Sequence, residues 1–192
     1  EKEGQTHVNL KNKAIPGLTI ATLISIAAFG IIIYLDTSHD VSEKFKFTLH
    51  AVEETLLIIF ALFACSIGFY RTRKLKFTVN FTRNNIDELL LSVTYFIAMN
   101  NYIGFILIGF LEIGHTKDHV DLVYLRIGNS FIELLQASVQ FFFIQDSFYR
   151  CCDSEKEKAN KPGRNTLAIL LGLNFSLWII KSFQEDLYCA IV

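Results

Sequence analysis

Five apolar stretches of membrane-spanning length constrain the fold of this chain more than any other feature. They cover residues 17–35, 47–70, 86–111, 120–149 and 164–183, and a helix needs about 20 apolar residues to cross a bilayer. Of the 192 residues, 52% are hydrophobic and 18 are Phe, which is too apolar for an ordinary soluble domain. The sequence therefore predicts an all-α, multi-span transmembrane helical bundle, with residues 17–186 as the transmembrane domain.

The segments that flank the spans are short. Residues 1–16 are polar and are expected to form a cytosolic N-terminal segment, while the apolar run at 187–192 is interpreted as the truncated start of a further segment. Connections between the spans are short or medium in length, so we expect consecutive helices to be antiparallel and adjacent.

Positive charge predicts the orientation, because cytoplasmic loops carry an excess of Lys and Arg. The charges concentrate in the N-terminal segment and in the loops after the second and fourth spans: Lys2, Lys11, Lys13, Arg71, Arg73, Lys74, Lys76, Arg83, Arg150, Lys156, Lys158, Lys161 and Arg164. The two opposite loops contain only Lys44, Lys46 and Lys117. We therefore expect a multi-pass protein, of the plasma membrane, with its N-terminus in the cytosol and loops 36–46 and 112–119 outside.

The fourth span, residues 120–149, carries a polar stripe. Arg126, Glu133 and Gln140 are spaced at i, i+7 and i+14, and Gln136 follows Glu133 by three residues, so all four lie on one face of a helix. An ionisable group within a span costs at least about 2.5 kcal/mol at the bilayer centre and usually faces protein or water. The stripe indicates either a proton or ion pathway or polar contacts that pack the helix against its neighbours.

Depth within the membrane suggests an ion pair near the outer ends of two spans. Glu53 and Glu54 lie about as far below the outer end of the second span as Arg126 lies below that of the fourth. We predict that Arg126 pairs with Glu53 or Glu54, since pairing relieves the cost of burying each charge. His50 is one turn above, on the same face as the two carboxylates.

Deeper in the membrane, the spans carry a second polar set. Glu133, Gln136, Asn100 and Asn174 reach the central third of the bilayer, and Gln140 lies one turn further toward the cytosol. A carboxyl group can exchange a proton, and amide side chains can donate and accept the hydrogen bonds of a water chain. This set favours proton relay over passage of a hydrated metal ion, while helix packing through amide hydrogen bonds remains the alternative.

Two loop features are further candidates. The outer loops contain His39, His115 and His119, which titrate near neutral pH and are candidates for sensing external acid; solvated histidines with no role are the alternative. Cys151 and Cys152 lie directly below the fourth span and are candidates for reversible palmitoylation. We expect no bound metal and no cofactor.

Two segments resemble the otopetrin family. The run 135–144, LQASVQFFFI, resembles the family's "Q…LQT.FI" helix. The motif KPGR at 161–164, followed by LNFSLWI at 173–179, is similar to the family's "KPGR…NLALW" helix. The order, the spacing and the charged loop between the two segments match as well.

This resemblance implies a proton-selective channel of twelve helices in two six-helix halves, assembled as a homodimer. The chain would be the C-terminal half, helices seven to eleven, without the N-terminal half and the twelfth helix. Gln140 would be the glutamine and Asn174 the asparagine of the family's polar triad, whose tyrosine belongs to the twelfth helix. The family's channels are blocked by zinc, which makes the outer histidines candidates to test for an effect of zinc.

The sequence thus predicts a fragment of a proton-selective ion channel that conducts in response to acid. Its partners are expected to be protons, membrane lipid and the missing half of the same polypeptide, and not nucleic acid. The alternatives are half of a proton-coupled solute transporter, with Glu133 coupling ion to substrate, and a non-conducting membrane scaffold. An enzyme is not expected, because no nucleophile–base pair, metal-ligand spacing or phosphate-binding loop is present in the sequence.

Overall fold

Long helices make up most of the structure, a computed structural model that describes residues 15–38, 42–77, 85–115, 120–153 and 163–191. The helices in these ranges are α1 (Ile15–Thr37), α2 (Glu43–Thr72), α3 (Asn85–Ile113), α4 (Val120–Phe148) and α5 (Arg164–Ile191). All five are long and apolar enough to cross a membrane, judged by length and composition. The predicted all-α, multi-span transmembrane bundle is confirmed.

The fifth helix extends past the predicted end of the fifth span. The span was expected to end at residue 183, and α5 continues without a break to Ile191. The bounds of the transmembrane domain and the further segment at 187–192 stay predictions. The reason is local, because residues 183–191 contain neither Gly nor Pro and nothing in their composition ends a helix.

The order of the helices in space differs from their order in the chain. Each helix packs mainly on its neighbours in the series α1, α5, α2, α4, α3, so that α1 and α2 touch only slightly and α2 makes little or no contact with α3. The expectation that consecutive helices are adjacent therefore holds for α3 and α4 and is wrong elsewhere. A short loop brings helix ends together, but the matching of buried faces decides which helices pack side by side.

Small residues bring α1 and α5 together. A Cβ atom added at Gly172 would collide with Ala21, whose Cα atom would lie 2.9 Å away. The Ser176 hydroxyl donates a hydrogen bond to Ser25 Oγ at 2.9 Å, and Ser176 is fully buried. Small residues and interhelical hydroxyl bonds are the usual means by which helices associate in a lipid environment, where the hydrophobic effect does not drive them together.

The apolar core lies where α1, α2, α4 and α5 meet. Its fully buried members include Ile32, Ile58, Phe143, Leu173 and Ile180. By contrast, many Leu, Ile and Phe side chains on the outer faces of all five helices are exposed. Exposure of large apolar side chains around the whole bundle is expected of a surface that faces lipid.

One end of the bundle is tied together by a short antiparallel ribbon. Strand β1 (Lys76–Phe77) follows α2 and pairs with β2 (Arg150–Cys151), which follows α4. The Arg150 side chain donates to both carboxylate oxygens of Asp146, at 2.6 and 2.9 Å, and to the backbone carbonyl of Leu75. These bonds hold the ends of α2 and α4 in register.

A glycine makes the sharp turn into α5. Gly163 has a φ of 94°, a conformation that other residues rarely adopt. Its Cα faces Thr72 at the end of α2, and an added Cβ would lie 3.0 Å from the Thr72 methyl group. The glycine of the KPGR motif thus allows α5 to start against the end of α2.

Replacement of Gly172 by Ala should destabilise the bundle, because the new methyl group forces α1 away from α5. We expect a loss of about 1–3 kcal/mol, the usual range for overpacking. Gly30→Ala in α1 is the matched control, since nothing lies within 4 Å of an added Cβ there. Thermal unfolding in detergent measures both variants, and equal melting temperatures for the two would contradict the close α1–α5 contact.

Candidate functional site

Three charged side chains from three helices meet inside the bundle. Lys181 of α5 forms an ion pair with Glu133 of α4, and its Nζ lies 3.4 Å from Glu54 Oε1 of α2. Both carboxylates are buried, whereas the Lys181 side chain retains about a third of its exposure. The lysine lies between the two carboxylates, so that one cation balances two potential anions. We call Glu54, Glu133 and Lys181 the ion cluster.

Neighbouring polar side chains position Glu54 of the ion cluster. The Asn129 amide of α4 donates to Glu54 Oε2 at 3.0 Å and to the backbone carbonyl of Ala51 at 3.2 Å. Thr55 in turn donates to Asn129 Oδ1 at 2.8 Å. Buried polar groups need such partners, because an unsatisfied group costs about 1–3 kcal/mol. Asn129 is therefore the link through which α4 fixes the carboxylate on α2.

A cavity of about 530 Å³ adjoins the ion cluster between α3, α4 and α5. Its wall includes four of the residues that the sequence singled out: Glu133, Gln136, Gln140 and Asn174. The Gln136 amide donates a 2.6 Å hydrogen bond to Gln140 Oε1. Four members of the predicted central set therefore line one space.

The polar side chains of α4 form a continuous track along the helix. From Asn129 through Glu133 and Gln136 to Gln140 the track covers 12 residues, and its ends are about 16 Å apart at the helical rise. That length is roughly half of the ~30 Å hydrocarbon thickness of a bilayer. Along this distance a proton would meet hydrogen-bonding or ionisable side chains.

The predicted pairing of Arg126 with Glu53 or Glu54 is wrong. The Arg126 guanidinium lies 3.4 Å from Glu112 Oε1 near the end of α3, and 5.2 Å from the centre of the Phe105 ring. The pairing fails because the side chain of Arg126 points from α4 toward α3 and away from α2. Glu54 is instead engaged by Asn129 and Lys181.

The second carboxylate of α2 lies apart from the ion cluster. Glu53 is buried, and its two carboxylate oxygens accept no hydrogen bond from the described residues. His50 lies one turn away, with its Nδ1 3.9 Å from Glu53 Oε2. The expected proximity of His50 and Glu53 is therefore present, but Arg126 does not join them.

Asn100 does not belong to the central polar set. Its side chain is exposed on α3 and donates to the backbone carbonyl of Phe96 at 2.7 Å. It does not line the cavity, whose α3 wall includes Tyr95 and Tyr102. The predicted depth of Asn100 says nothing about the direction of its side chain, which points away from the cavity.

The loop candidates remain scattered. His115 is exposed just after α3, and His39 and His119 lie outside the described residues.

Cys151 and Cys152 are half-buried free thiols at the ribbon that follows α4. At the same ribbon, the hydrogen bond that Lys76 donates to Asp153 raises the pKa of Lys76. Among the described residues, no group of three or more His, Cys, Asp or Glu side chains could hold a metal ion.

Sequence analysis missed the role of Lys181. Lys181 follows Asn174 by seven residues and therefore lies two turns away on the same helical face. That spacing was the available signal. Asn129 was missed because a single Asn in a span is most often a packing residue.

The fold and the ion cluster define a class of protein: a multi-span helical membrane protein with ionisable groups buried among its spans. The family model named Otopetrin matches residues 6–188, which is nearly the whole chain. The chain therefore belongs to the otopetrin family, as its resemblance to that family predicted. The assignment of Gln140 and Asn174 to the family's polar triad stays a prediction. No curated protein and no solved structure is significantly similar to the chain.

A double-mutant cycle tests the contact between Glu133 and Lys181. We expect Glu133→Gln and Lys181→Met to be non-additive in thermal unfolding, with a coupling free energy of about 0.5–3 kcal/mol, since each change removes the same ion pair. Glu112→Gln combined with Lys181→Met is the control, because Glu112 pairs with Arg126 instead. Additive effects for Glu133 and Lys181 would refute the ion pair.

Proposed function

We propose that this chain forms part of a proton-selective ion channel that conducts protons across a membrane in response to acid. Membership of the otopetrin family supports proton conduction at the level of the family. The observation that carries the proposal for this chain is the ion cluster, in which Lys181 bridges Glu133 and Glu54 inside the bundle.

The charge balance of the ion cluster suits proton transfer. With both carboxyls ionised, the cluster has a net charge of −1, so uptake of one proton by either carboxyl makes it neutral. Lys181 contacts both carboxylates and can remain paired with whichever one is ionised. A proton can therefore arrive and depart without leaving an uncompensated charge buried in the protein, which would be costly.

The residues beside the ion cluster supply the rest of the proposed route. Gln136, Gln140 and Asn174 line the same cavity as Glu133, and amide groups can orient water molecules by both donating and accepting hydrogen bonds. A hydrated metal cation in the cavity would be repelled by the ammonium of Lys181, which forms part of the cavity wall. The arrangement thus favours protons over larger cations.

The proposal also covers the assembly and orientation of the protein and the candidate residues outside the cavity. The chain acts within a longer otopetrin polypeptide that forms a homodimer in the plasma membrane, with the N-terminus in the cytosol. His115, His39 and His119 contribute to the response to external acid, as does the buried pair of His50 and Glu53. Cys151 and Cys152 are palmitoylated at the cytosolic surface.

The size of the cavity is compatible with a second function, that of a solute transporter. A space of about 530 Å³ is large enough for a small solute, so a proton-coupled solute transporter is the second candidate. In that case proton flux would require an added solute. A non-conducting scaffold would give no flux under either condition.

Glu133→Gln should abolish or strongly reduce proton flux, because the amide cannot take up and release a proton. The measurement is acidification inside proteoliposomes that contain the full-length polypeptide, with an imposed pH gradient and no added solute. Asn100→Gln is the control, since Asn100 is exposed and lies outside the cavity; its flux should equal that of the wild type.

Flux that is unchanged in Glu133→Gln would remove this carboxyl from the route. Flux that appears only with an added solute would favour the transporter, and complete absence of flux in the wild type would favour the scaffold.

Accessibility of thiols tests the orientation. His115 and the Cys151–Cys152 pair follow opposite ends of the α3–α4 hairpin. In intact cells, a membrane-impermeant maleimide should label His115→Cys. It should label Cys151 and Cys152 only after permeabilisation and cleavage of their palmitoyl thioesters with hydroxylamine. Labelling of the native pair from outside would reverse the proposed orientation. The Cys151→Ser/Cys152→Ser double variant identifies labelling at other sites.

A further inference from the structure

The two carboxylates of the ion cluster have different surroundings. Glu54 is engaged at both oxygens, because Oε1 lies 3.4 Å from Lys181 Nζ and Oε2 accepts a 3.0 Å hydrogen bond from the Asn129 amide. Glu133 contacts Lys181 through Oε1 and forms part of the cavity wall, to which Glu54 does not contribute. A water molecule in the cavity can therefore reach Glu133 directly, whereas Glu54 is buried away from the cavity.

The hydrogen bonds of Asn129 fix the orientation of its amide. Its Nδ2 donates to Glu54 and to the backbone carbonyl of Ala51, while its Oδ1 accepts from the Thr55 hydroxyl at 2.8 Å. In the opposite orientation, Oδ1 would face two acceptors with no hydrogen to offer them. Asn129 therefore presents an N–H donor to Glu54, and a donor in that position stabilises the ionised form of a carboxyl group.

The other titratable groups near the ion cluster serve both carboxylates or lie apart from them. From α5, Lys181 contacts both carboxylates. From α3, the Tyr102 ring centre lies 5.4 Å from Lys181 Nζ. On α2, Glu53 lies apart from the cluster, next to His50. The hydrogen bond from Asn129 and the position of the cavity wall thus distinguish the two carboxylates.

We propose that the ion cluster divides its roles, with Glu54 as a permanently ionised counter-ion and Glu133 as the carboxyl that takes up and releases the proton. Asn129 is the positioning residue that holds Glu54 in its ionised form. When a proton from the cavity adds to the Glu133 carboxylate, the Lys181 ammonium keeps its charge and pairs with Glu54 alone. When the proton leaves to a water molecule in the cavity, Lys181 again balances both carboxylates.

The inference rests on the proposed function, which it deepens by assigning the proton to one carboxyl and a role to Asn129. Ionised Glu54 and charged Lys181 then form a pair that persists through the whole cycle. The cluster alternates between a net charge of −1 and neutrality, and neither state leaves a buried charge uncompensated by a neighbour.

Dicyclohexylcarbodiimide can locate the proton, because this lipophilic reagent adds to protonated carboxyl groups in apolar surroundings and leaves ionised ones unmodified. The full-length polypeptide in proteoliposomes is treated over a range of pH, and mass spectrometry of proteolytic fragments identifies the modified residues. We expect modification of Glu133 that increases as the pH falls, with Glu54 unmodified. Modification of Glu54, or of neither carboxyl, would overturn the proposal.

Asn129→Leu tests the role of the amide. The variant removes a hydrogen bond to a charged group, and a bond of this kind changes an equilibrium constant by about tenfold or more, so the proton moves from Glu133 to Glu54. Modification of Glu133 should fall several-fold. A merely structural role of Asn129 predicts the opposite sign, because a loosened bundle would admit more reagent to both carboxyls.

Asn100→Leu is the matched control, since the Asn100 side chain is exposed on α3 and bonds to the Phe96 backbone carbonyl. Its modification at Glu133 should equal that of the wild type. Modification of Glu133 that is unchanged or increased in Asn129→Leu would overturn the proposal.

Thr55→Val is the second variant, for use if Asn129→Leu fails to fold. Val has nearly the shape of Thr, and the change removes the hydroxyl that donates to Asn129 Oδ1 while leaving the amide in place. Modification of Glu133 should fall in the same direction but by less. Equal modification in Thr55→Val and the wild type would refute the role of Asn129.

Flux measured before the reagent is added distinguishes this inference from the proposed function. Wild-type flux together with modification of Glu54 would keep the channel and refute the division of roles. Modification of Glu133 alone, reduced by Asn129→Leu, in a protein without flux would support the assignment of the proton and refute the channel.

Discussion

The cost of burying charge governs how this bundle is assembled. A carboxylate placed among apolar helices loses several kcal/mol of hydration unless another group compensates it. Glu54 and Glu133 meet this requirement through one shared lysine, which a third helix supplies. Because the three residues come from α2, α4 and α5, the ion cluster also fixes which faces of those helices turn inward.

With both carboxyls ionised, the ion cluster has a net charge of −1, and uptake of one proton makes it neutral. A simple ion pair, or apolar residues of similar volume, would stabilise the packing of the helices equally well. A shared lysine with two acidic partners, beside a cavity lined by Gln136, Gln140 and Asn174, instead combines structural pairing with the capacity to exchange a proton. Under the proposed function, the structural and functional interpretations of the polar stripe, which were alternatives at the level of the sequence, apply to the same residues.

The sequence predicts the features that a single helix determines. Its predictions fail for features that depend on how two helices pack against each other. Five spans and the shared face of Glu133, Gln136 and Gln140 follow from hydropathy and from the 3.6-residue period. Arg126 and Asn100 were misassigned because depth along the membrane says nothing about which neighbour a side chain faces. Lys181 could be placed near Asn174 by its spacing, but its pairing with Glu54 depends on the packing of α5 against α2, which no local pattern encodes.

The order α1, α5, α2, α4, α3 has a consequence for biogenesis. The bond from Ser25 to the Gly172 carbonyl joins residues 147 positions apart, and α1 has its principal neighbour in α5. Since a chain is synthesised from its N-terminus at about 5–20 residues per second, α1 enters the membrane well before the helix that it packs against exists. During that interval lipid or the insertion machinery has to cover its small-residue face, and the packing of α1 is complete only when α5 has entered the membrane.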